Sequence, residues 1–104
     1  MSGIRLDRWM AEDGPLNERR LMARMEREGY EVAVYTYRGG TVFPEHAHAQ
    51  DKCDAVLEGV LRVTVDGVAY DLEAGDRLFL PKGTRHAAEV VGRRTVVSLD
   101  GTIW

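Results

Sequence analysis

Hydrophobic positions recur with a helical period near the N-terminus and with a period of two over the rest of the chain. Between Pro15 and Gly29 the residues are mostly good helix formers, and their apolar side chains form one narrow stripe of Leu21, Met22 and Met25. Pro suits the first turn of a helix and Gly the residue after its last turn. The pattern predicts one short amphipathic helix that lies on the outside of the domain.

From Tyr30 onward the pattern alternates as it does in β-strands. The clearest case is a pair of alternating runs, residues 61–65 and 68–72, on either side of Asp66-Gly67. Both central residues of a type I′ turn need positive φ, which Asp-Gly tolerates, so these runs predict a hairpin. Further short strands are predicted at residues 30–37, 77–80, 85–91 and 95–99. Many short strands at close spacing predict an all-β sandwich or small barrel.

Length and composition limit what the chain can be. Its 104 residues, 44% hydrophobic and 30% charged, are typical of one globular domain, which we divide into an N-terminal extension of residues 1–29 and a barrel of residues 30–104. The formal charge is −3 and no basic block is present, which argues against a nucleic-acid partner. Without a long apolar stretch or an apolar leader, we expect no membrane association and a cytoplasmic location.

The three histidines of the chain lie near the ends of predicted strands. His46 and His48 are two residues apart, so on an extended chain both imidazoles point to the same face. His86 begins another predicted strand. Three imidazoles from two strands of one small barrel can converge on a metal ion at about 2.0–2.1 Å, the usual His–metal distance. Surface or hydrogen-bonded histidines are the alternative that these residues leave open.

The same residues carry a resemblance to the cupin superfamily. The run from Gly40 to Gly59 resembles the first cupin motif, G-x5-H-x-H-x3-E-x6-G, and the run from Gly75 to His86 resembles the second, G-x5-P-x-G-x2-H. The resemblance implies a small cupin-type β-barrel, a double-stranded β-helix or jelly roll, with one short N-terminal helix. It also implies that His46, His48 and His86 are metal ligands.

The resemblance says less about function than about fold. It implies a divalent transition metal such as iron, manganese, nickel or zinc, since imidazole suits several first-row metals. Cupins include dioxygenases, isomerases and decarboxylases as well as storage and binding proteins, so the sequence leaves open whether the chain is an enzyme. We expect a mononuclear three-histidine site that binds a small organic molecule, anionic or oxygen-bearing. The alternative is a non-catalytic ligand-binding or sensing module with a metal-free pocket.

The match breaks at Lys52, where the first cupin motif usually has an acid that supplies a fourth metal ligand. An ammonium group cannot coordinate a metal. The histidines could hold the metal alone, with Lys52 as a catalytic base or as the contact for an anionic ligand. Alternatively, Lys52 forms a salt bridge in a metal-free pocket. Asp54, on the same strand face, is then the expected partner, ahead of Glu45 and Glu58, and we assign Asp54 to the pocket.

Three residues near these motifs have competing interpretations. Cys53 could be a soft metal ligand if a bulge shifted the strand register. By strand parity it faces away from Lys52, so we expect a small buried thiol. Tyr35 and Tyr37 share one face of a strand that lines the pocket mouth in cupins. We therefore assign Tyr37 to the substrate pocket, with simple packing as the alternative.

Two tryptophans bear on assembly. Trp9 and Trp104 lie near the two ends of the chain, where a monomer would leave them exposed. Large exposed aromatic side chains often mark an interface. They predict a homodimer in which the terminal segments cover part of the partner barrel.

Overall fold

The structure, a computed structural model, describes residues 3–104, which form two antiparallel β-sheets and one α-helix. The elements in chain order are β1 (Arg5–Asp7), a 3₁₀ turn (Ala11–Asp13), α1 (Glu18–Arg27), β2 (Glu31–Tyr37), β3 (Val42–His46), β4 (Asp51–Glu58), β5 (Leu61–Val65), β6 (Val68–Leu72), β7 (Arg77–Leu80), β8 (His86–Val90) and β9 (Val96–Ile103). This confirms the predicted all-β architecture with one short N-terminal helix.

The two sheets enclose the main hydrophobic core. One sheet has the strand order β1-β7-β4-β9-β2 and the other the order β3-β8-β5-β6. Aliphatic side chains from both sheets form the core, including Val56 and Leu78 from the first sheet and Leu61 from the second. Alternation along each strand sends these side chains inward, because successive residues of a strand point to opposite faces.

The helix α1 covers the outer face of the five-stranded sheet. The side chain of Asn17 caps it by accepting a hydrogen bond from the backbone N–H of Arg20 at 2.9 Å. Leu21 and Met25 are fully buried, and they belong to a second apolar cluster with Cys53 and other side chains of the sheet. Cys53 is therefore the buried thiol that strand parity predicts, and burial raises its pKa to about 12. No helix within residues 3–104 is long and apolar enough to cross a membrane.

The hairpin of β5 and β6 agrees with its sequence signal. Val65 pairs with Val68, and the two turn residues have positive φ, 50° at Asp66 and 77° at Gly67. Positive φ at both positions is the requirement of a type I′ turn. The other strands differ more from the prediction, since β9 continues past Leu99 to Ile103, and β1, β3 and β4 lie outside the predicted strand ranges.

Trp9 is packed within its own chain, which corrects the expectation that it is exposed. Its backbone N–H donates to the carbonyl of Gly75 at 3.0 Å, and its indole N–H donates to the carbonyl of Gly14 at 2.8 Å. The Arg24 guanidinium lies 4.4 Å from the ring centroid. Trp104, in contrast, is 79% exposed, as expected. Of the two tryptophans on which the homodimer prediction rests, only Trp104 is therefore largely exposed.

Candidate metal centre

The three histidines lie together at one end of the barrel. His46 ends β3, His48 follows in the loop to β4, and His86 begins β8 directly opposite His46 in the antiparallel pair. The ring centroids are 4.3 Å apart for His46 and His86, 4.8 Å for His46 and His48, and 5.3 Å for His48 and His86. One potential ligand atom from each residue lies within 4.8 Å of the others. The structure thus brings together all three residues that the motifs single out.

A β-bulge in β3 turns His46 toward the other two rings. Phe43 pairs with Ala88 and His46 pairs with His86, so β3 has one extra residue between these two pairs. Phe43 and His46 are three positions apart and would point to opposite faces of a regular strand. With the bulge, both line the same cavity. Pro44 lies within the bulge, a position where a residue without a backbone N–H is tolerated.

Backbone carbonyls orient two of the rings. The Nδ1 atom of His46 lies 2.7 Å from the carbonyl oxygen of Pro44, and the Nδ1 atom of His86 lies 2.9 Å from that of Thr84. A carbonyl oxygen can only accept, so each Nδ1 must carry the proton and each neutral ring keeps a free lone pair on Nε2. Histidines that bind metals usually have such a partner on the other nitrogen.

Burial favours the neutral form of two of the imidazoles. It lowers the pKa of His48, and the nearby Lys52 ammonium lowers it further. Burial also lowers the pKa of His86, against the opposing effect of its hydrogen bond to Thr84. Neutral imidazole is the form that binds a metal. At neutral pH these two rings are therefore ready to act as ligands without first losing a proton.

Hydrogen bonds hold the two histidine-bearing loops together. The backbone N–H of Gly83 donates to the carbonyl of His48 at 2.8 Å, and that of Lys82 donates to the Asp51 carboxylate at 2.8 Å. Gly83 has a φ of 80°, which side-chain-bearing residues rarely adopt. The Gly of the second motif thus shapes the loop that precedes His86.

The histidines border a cavity of about 170 Å³. The other walls are aromatic, apolar and polar side chains, namely Tyr37, Phe43, Asp54, Leu61, Ala88, Ser98 and Asp100. For scale, an engineered protein cavity of ~150 Å³ holds one benzene molecule. The cavity suits a compact molecule, and both residues assigned to the pocket from the sequence, Tyr37 and Asp54, line it.

Two carboxylates face the histidines from the five-stranded sheet. Asp54 on β4 and Asp100 on β9 are register partners, and both line the cavity. Burial and the neighbouring Asp100 carboxylate raise the pKa of Asp54 to about 6. Burial, together with these two carboxylates, raises the pKa of Tyr37 to about 12. At neutral pH Tyr37 therefore keeps its hydroxyl proton, and Asp54 can exchange a proton close to that pH.

Lys52 lies beside the cavity and does not line it. Its Nζ atom is 3.0 Å from each carboxylate oxygen of Asp100 and 2.7 Å from the hydroxyl of Thr102. The expectation that Lys52 pairs with Asp54 is wrong, because Asp100 reaches the ammonium diagonally from the adjacent strand. Glu45 is not the partner either, since it pairs with Arg85 at 2.9 Å. Asp100 is 48 residues from Lys52 in sequence, so no local pattern points to this pair.

Comparisons with known proteins agree with this geometry. Residues 33–101 match a family model described as a cupin domain. Over 68 residues the chain is 35% identical to quercetin 2,3-dioxygenase of Bacillus subtilis (strain 168). That match covers 64% of this chain, but the chain spans only 20% of the length of the dioxygenase.

Solved structures with the same fold extend the likeness. A cupin-2 domain containing protein from Shewanella frigidimarina has a TM-score of 0.59 and 25% identity, over 69% of this chain and 68% of that one. A predicted oxalate decarboxylase from Thermotoga maritima has a TM-score of 0.64 and 17% identity, over 96% of this chain and 79% of that one. The fold is the cupin double-stranded β-helix. Since the family model matches more than half of the residues of this chain, the chain belongs to the cupin domain family.

Proposed function

We propose that this chain is a small metal-binding cupin in which His46, His48 and His86 hold one divalent transition metal. The cavity beside them binds a small organic molecule that is anionic or bears oxygen atoms. The observation that carries this proposal is the convergence of three imidazoles on one cavity, two of them with Nδ1 bound to a backbone carbonyl.

The donor set suits such a metal. Two nitrogens bound at about 2.1 Å to one ion lie roughly 3 to 4.2 Å apart, so small ring rotations close the set from its present limit of 4.8 Å. Imidazole ligands suit iron, manganese, nickel and zinc alike. Three protein ligands leave coordination positions open, and a bound metal would supply a Lewis acid that polarises an oxygen atom of the ligand.

The opposite wall of the cavity supplies groups that can act on the ligand. Tyr37 keeps its proton at neutral pH and donates a hydrogen bond, and the pKa of Asp54, about 6, lets this carboxyl group give or accept a proton. Lys52 holds the Asp100 carboxylate in place, so we assign Lys52 a positioning role toward the cavity in addition to the base or anion-contact role that its motif position indicates.

Two classes of reaction have support from similar proteins. The names of these proteins, quercetin 2,3-dioxygenase and predicted oxalate decarboxylase, favour oxygenation or decarboxylation. The second candidate function is a non-catalytic ligand-binding module. It is favoured by Lys52, because a buried ammonium group stands where the family motif usually has an acidic ligand.

Metal analysis of untagged protein tests the centre. We expect about one equivalent of a transition metal per chain, falling below about a tenth in His48→Ala and His86→Ala, because a single-ion site with two remaining ligands binds weakly. Glu45→Gln is the matched control, since Glu45 adjoins His46 in sequence but pairs outward with Arg85. Less than about a tenth of an equivalent in the unaltered protein would overturn the metal centre. If the protein binds one equivalent of metal but does not convert oxygen-rich acids or phenols, the non-catalytic ligand-binding function is favoured.

A further inference from the structure

A second, larger groove adjoins the histidine cavity. It has a volume of about 340 Å³ and lies along β2 and the end of β9, with Glu31, Tyr35 and Trp104 on its sides. Lys52, which is 9% exposed, forms part of its floor. His48 and Asp100 line both the groove and the histidine cavity. These two side chains are therefore the shared boundary between the two spaces.

Aromatic rings continue from the groove into the cavity. Tyr35 lines the groove and Tyr37 lines the cavity, and their rings are stacked with centroids 6.1 Å apart and planes 8° apart. Tyr37 meets Phe43 edge to face at 4.8 Å on the cavity side. The groove and the cavity thus share one aromatic wall.

Trp104 also lines the groove, beside Glu31. Its indole N–H donates to the Glu31 carboxylate at 3.1 Å, which anchors the ring although 79% of the residue is exposed. Tyr35 is also 46% exposed. Exposed aromatic rings on the rim of a concave site are suited to stacking against a planar ligand.

The charged groups of the groove already have partners within the chain, although only Lys52 and Asp100 form an ion pair. Lys52 is bound to Asp100, and Glu31 accepts the Trp104 indole N–H. The Lys52 and Asp100 charges offset each other, and the Glu31 carboxylate leaves one negative charge in the groove. An anionic group is therefore disfavoured in the groove, and the contacts that remain for a ligand there are apolar and stacking contacts with the rings. A compact aliphatic acid would occupy the histidine cavity and leave Tyr35 and Trp104 without a role.

We propose that cavity and groove together form one elongated site for a planar aromatic molecule with an oxygen-bearing head group. The head group lies at the histidines, and the distal ring lies in the groove that Tyr35 and Trp104 line. This assignment rests on the proposed metal centre for its head-group contact. It adds a substrate class and two specificity-determining residues.

The test compares two carboxylates that differ in their tails. Zinc-loaded protein is titrated calorimetrically with 4-hydroxycinnamate, which is planar and elongated, and with acetate, which offers only the head group. We expect 4-hydroxycinnamate to bind more tightly. Trp104→Ala and Tyr35→Ala should each weaken its binding by roughly five- to tenfold, because each removes one stacking partner. Acetate binding should stay within about twofold of the parent value in both variants.

Two control variants separate stacking from other effects. Trp104→Phe keeps a ring at the rim and should retain most of the affinity for 4-hydroxycinnamate. Val68→Ala removes an exposed apolar side chain at the far hairpin and should change neither titration. Sedimentation velocity of Trp104→Ala must match the parent protein, because a smaller species would assign Trp104 to a subunit interface and overturn the groove site.

The outcomes distinguish this inference from the proposed function. If acetate binds in a zinc- and His86-dependent manner while 4-hydroxycinnamate gains nothing from Trp104, the elongated site is overturned and the metal centre stands. If neither titration depends on zinc or on His86, the proposed metal centre fails and the inference fails with it.

Discussion

Lys52 is the residue at which this chain departs most from the cupin motif. An acid at this position would be a metal ligand, whereas the lysine binds Asp100 and Thr102 at 3.0 and 2.7 Å. The side chains of Lys52 and Asp100 are only 11% and 25% exposed, so solvent screens the pair far less than a surface ion pair. Lysine at this position therefore leaves the three histidines as the candidate metal ligands and places a compensated charge beside them.

Removing the ammonium should destabilise the fold. We expect Lys52→Met to lower the free energy of unfolding by about 2–4 kcal/mol, because methionine fills similar space but leaves the Asp100 carboxylate partly buried without its partner. Urea unfolding of metal-free protein at pH 7 measures this. The double variant Lys52→Met/Asp100→Asn should recover part of the loss, since it removes the uncompensated charge as well.

Asp54→Asn is the matched control for that experiment. Asp54 shares the inward face of β4 with Lys52, but Asp100 is the ion-pair partner. Because the pKa of Asp54 is raised to about 6, folding disfavours its ionised form, and the stability tied to its protonated form is lost as the pH rises through that value. At pH 7 the Asp54→Asn substitution should therefore not lower the free energy of unfolding. An equal loss in Asp54→Asn and Lys52→Met would contradict the assigned pairing.

At the scale of secondary-structure elements, the sequence predicts those elements that have a local sequence pattern. The hairpin follows from Asp66-Gly67, whose positive φ values the turn requires. The strand β1 has no such signal, because three residues cannot show alternation, and it forms by pairing with β7. The extension of β9 through Asp100 likewise depends on pairing with both β2 and β4 rather than on its own propensity.

The candidate site also contains some residues that the sequence predicts and others that it does not. His46, His48 and His86 carry a motif that can be read along the chain, and the structure brings them together. Asp100 enters the cavity wall from a strand far away in sequence, and the inward position of Phe43 beside His46 depends on the bulge. Such features arise from register between strands, which a single sequence does not specify.

The N-terminal segment depends on Trp9 for its attachment to the barrel. The Trp9 side chain packs over Gly75, and its ring lies beneath the Arg24 guanidinium. The backbone N–H and the indole N–H of Trp9 each donate one hydrogen bond. We expect Trp9→Ala to lower the free energy of unfolding by about 2–3 kcal/mol, somewhat less than for a fully buried tryptophan. Sedimentation velocity should show no change in mass. A change in mass with unaltered stability would return Trp9 to the interface role that its sequence position indicates.

At the scale of the whole molecule, the histidine cluster joins the two sheets. His46 and His86 belong to the four-stranded sheet, and His48 lies in the loop that leads into β4 of the other sheet. A metal bound by all three would therefore stabilise the contact between the sheets. It would bind the folded chain and not the unfolded one, so its binding free energy adds to stability.

This coupling predicts a thermal shift with a defined pH dependence. At a free zinc concentration about 100 times its Kd, the native state gains about 2.7 kcal/mol, which corresponds to a rise in Tm of roughly 10 °C for a domain of this size. Protons compete with zinc for the imidazoles. Since burial lowers the pKa values of His48 and His86 from 6.5, the shift should persist to lower pH than at a site of exposed histidines, and it should decline as the pH falls towards 5.

Differential scanning calorimetry with and without zinc, from pH 7.5 down to pH 5, measures the shift. His86→Ala should show little shift at any pH, because it removes the most buried of the three ligands. Magnesium is the matched ion control, since it prefers oxygen ligands and should not raise Tm. If zinc raised the Tm of His86→Ala as much as that of the parent protein, the ion would bind elsewhere. A shift of equal size at pH 7.5 and pH 5 would show that protons do not compete with the ion for these imidazoles.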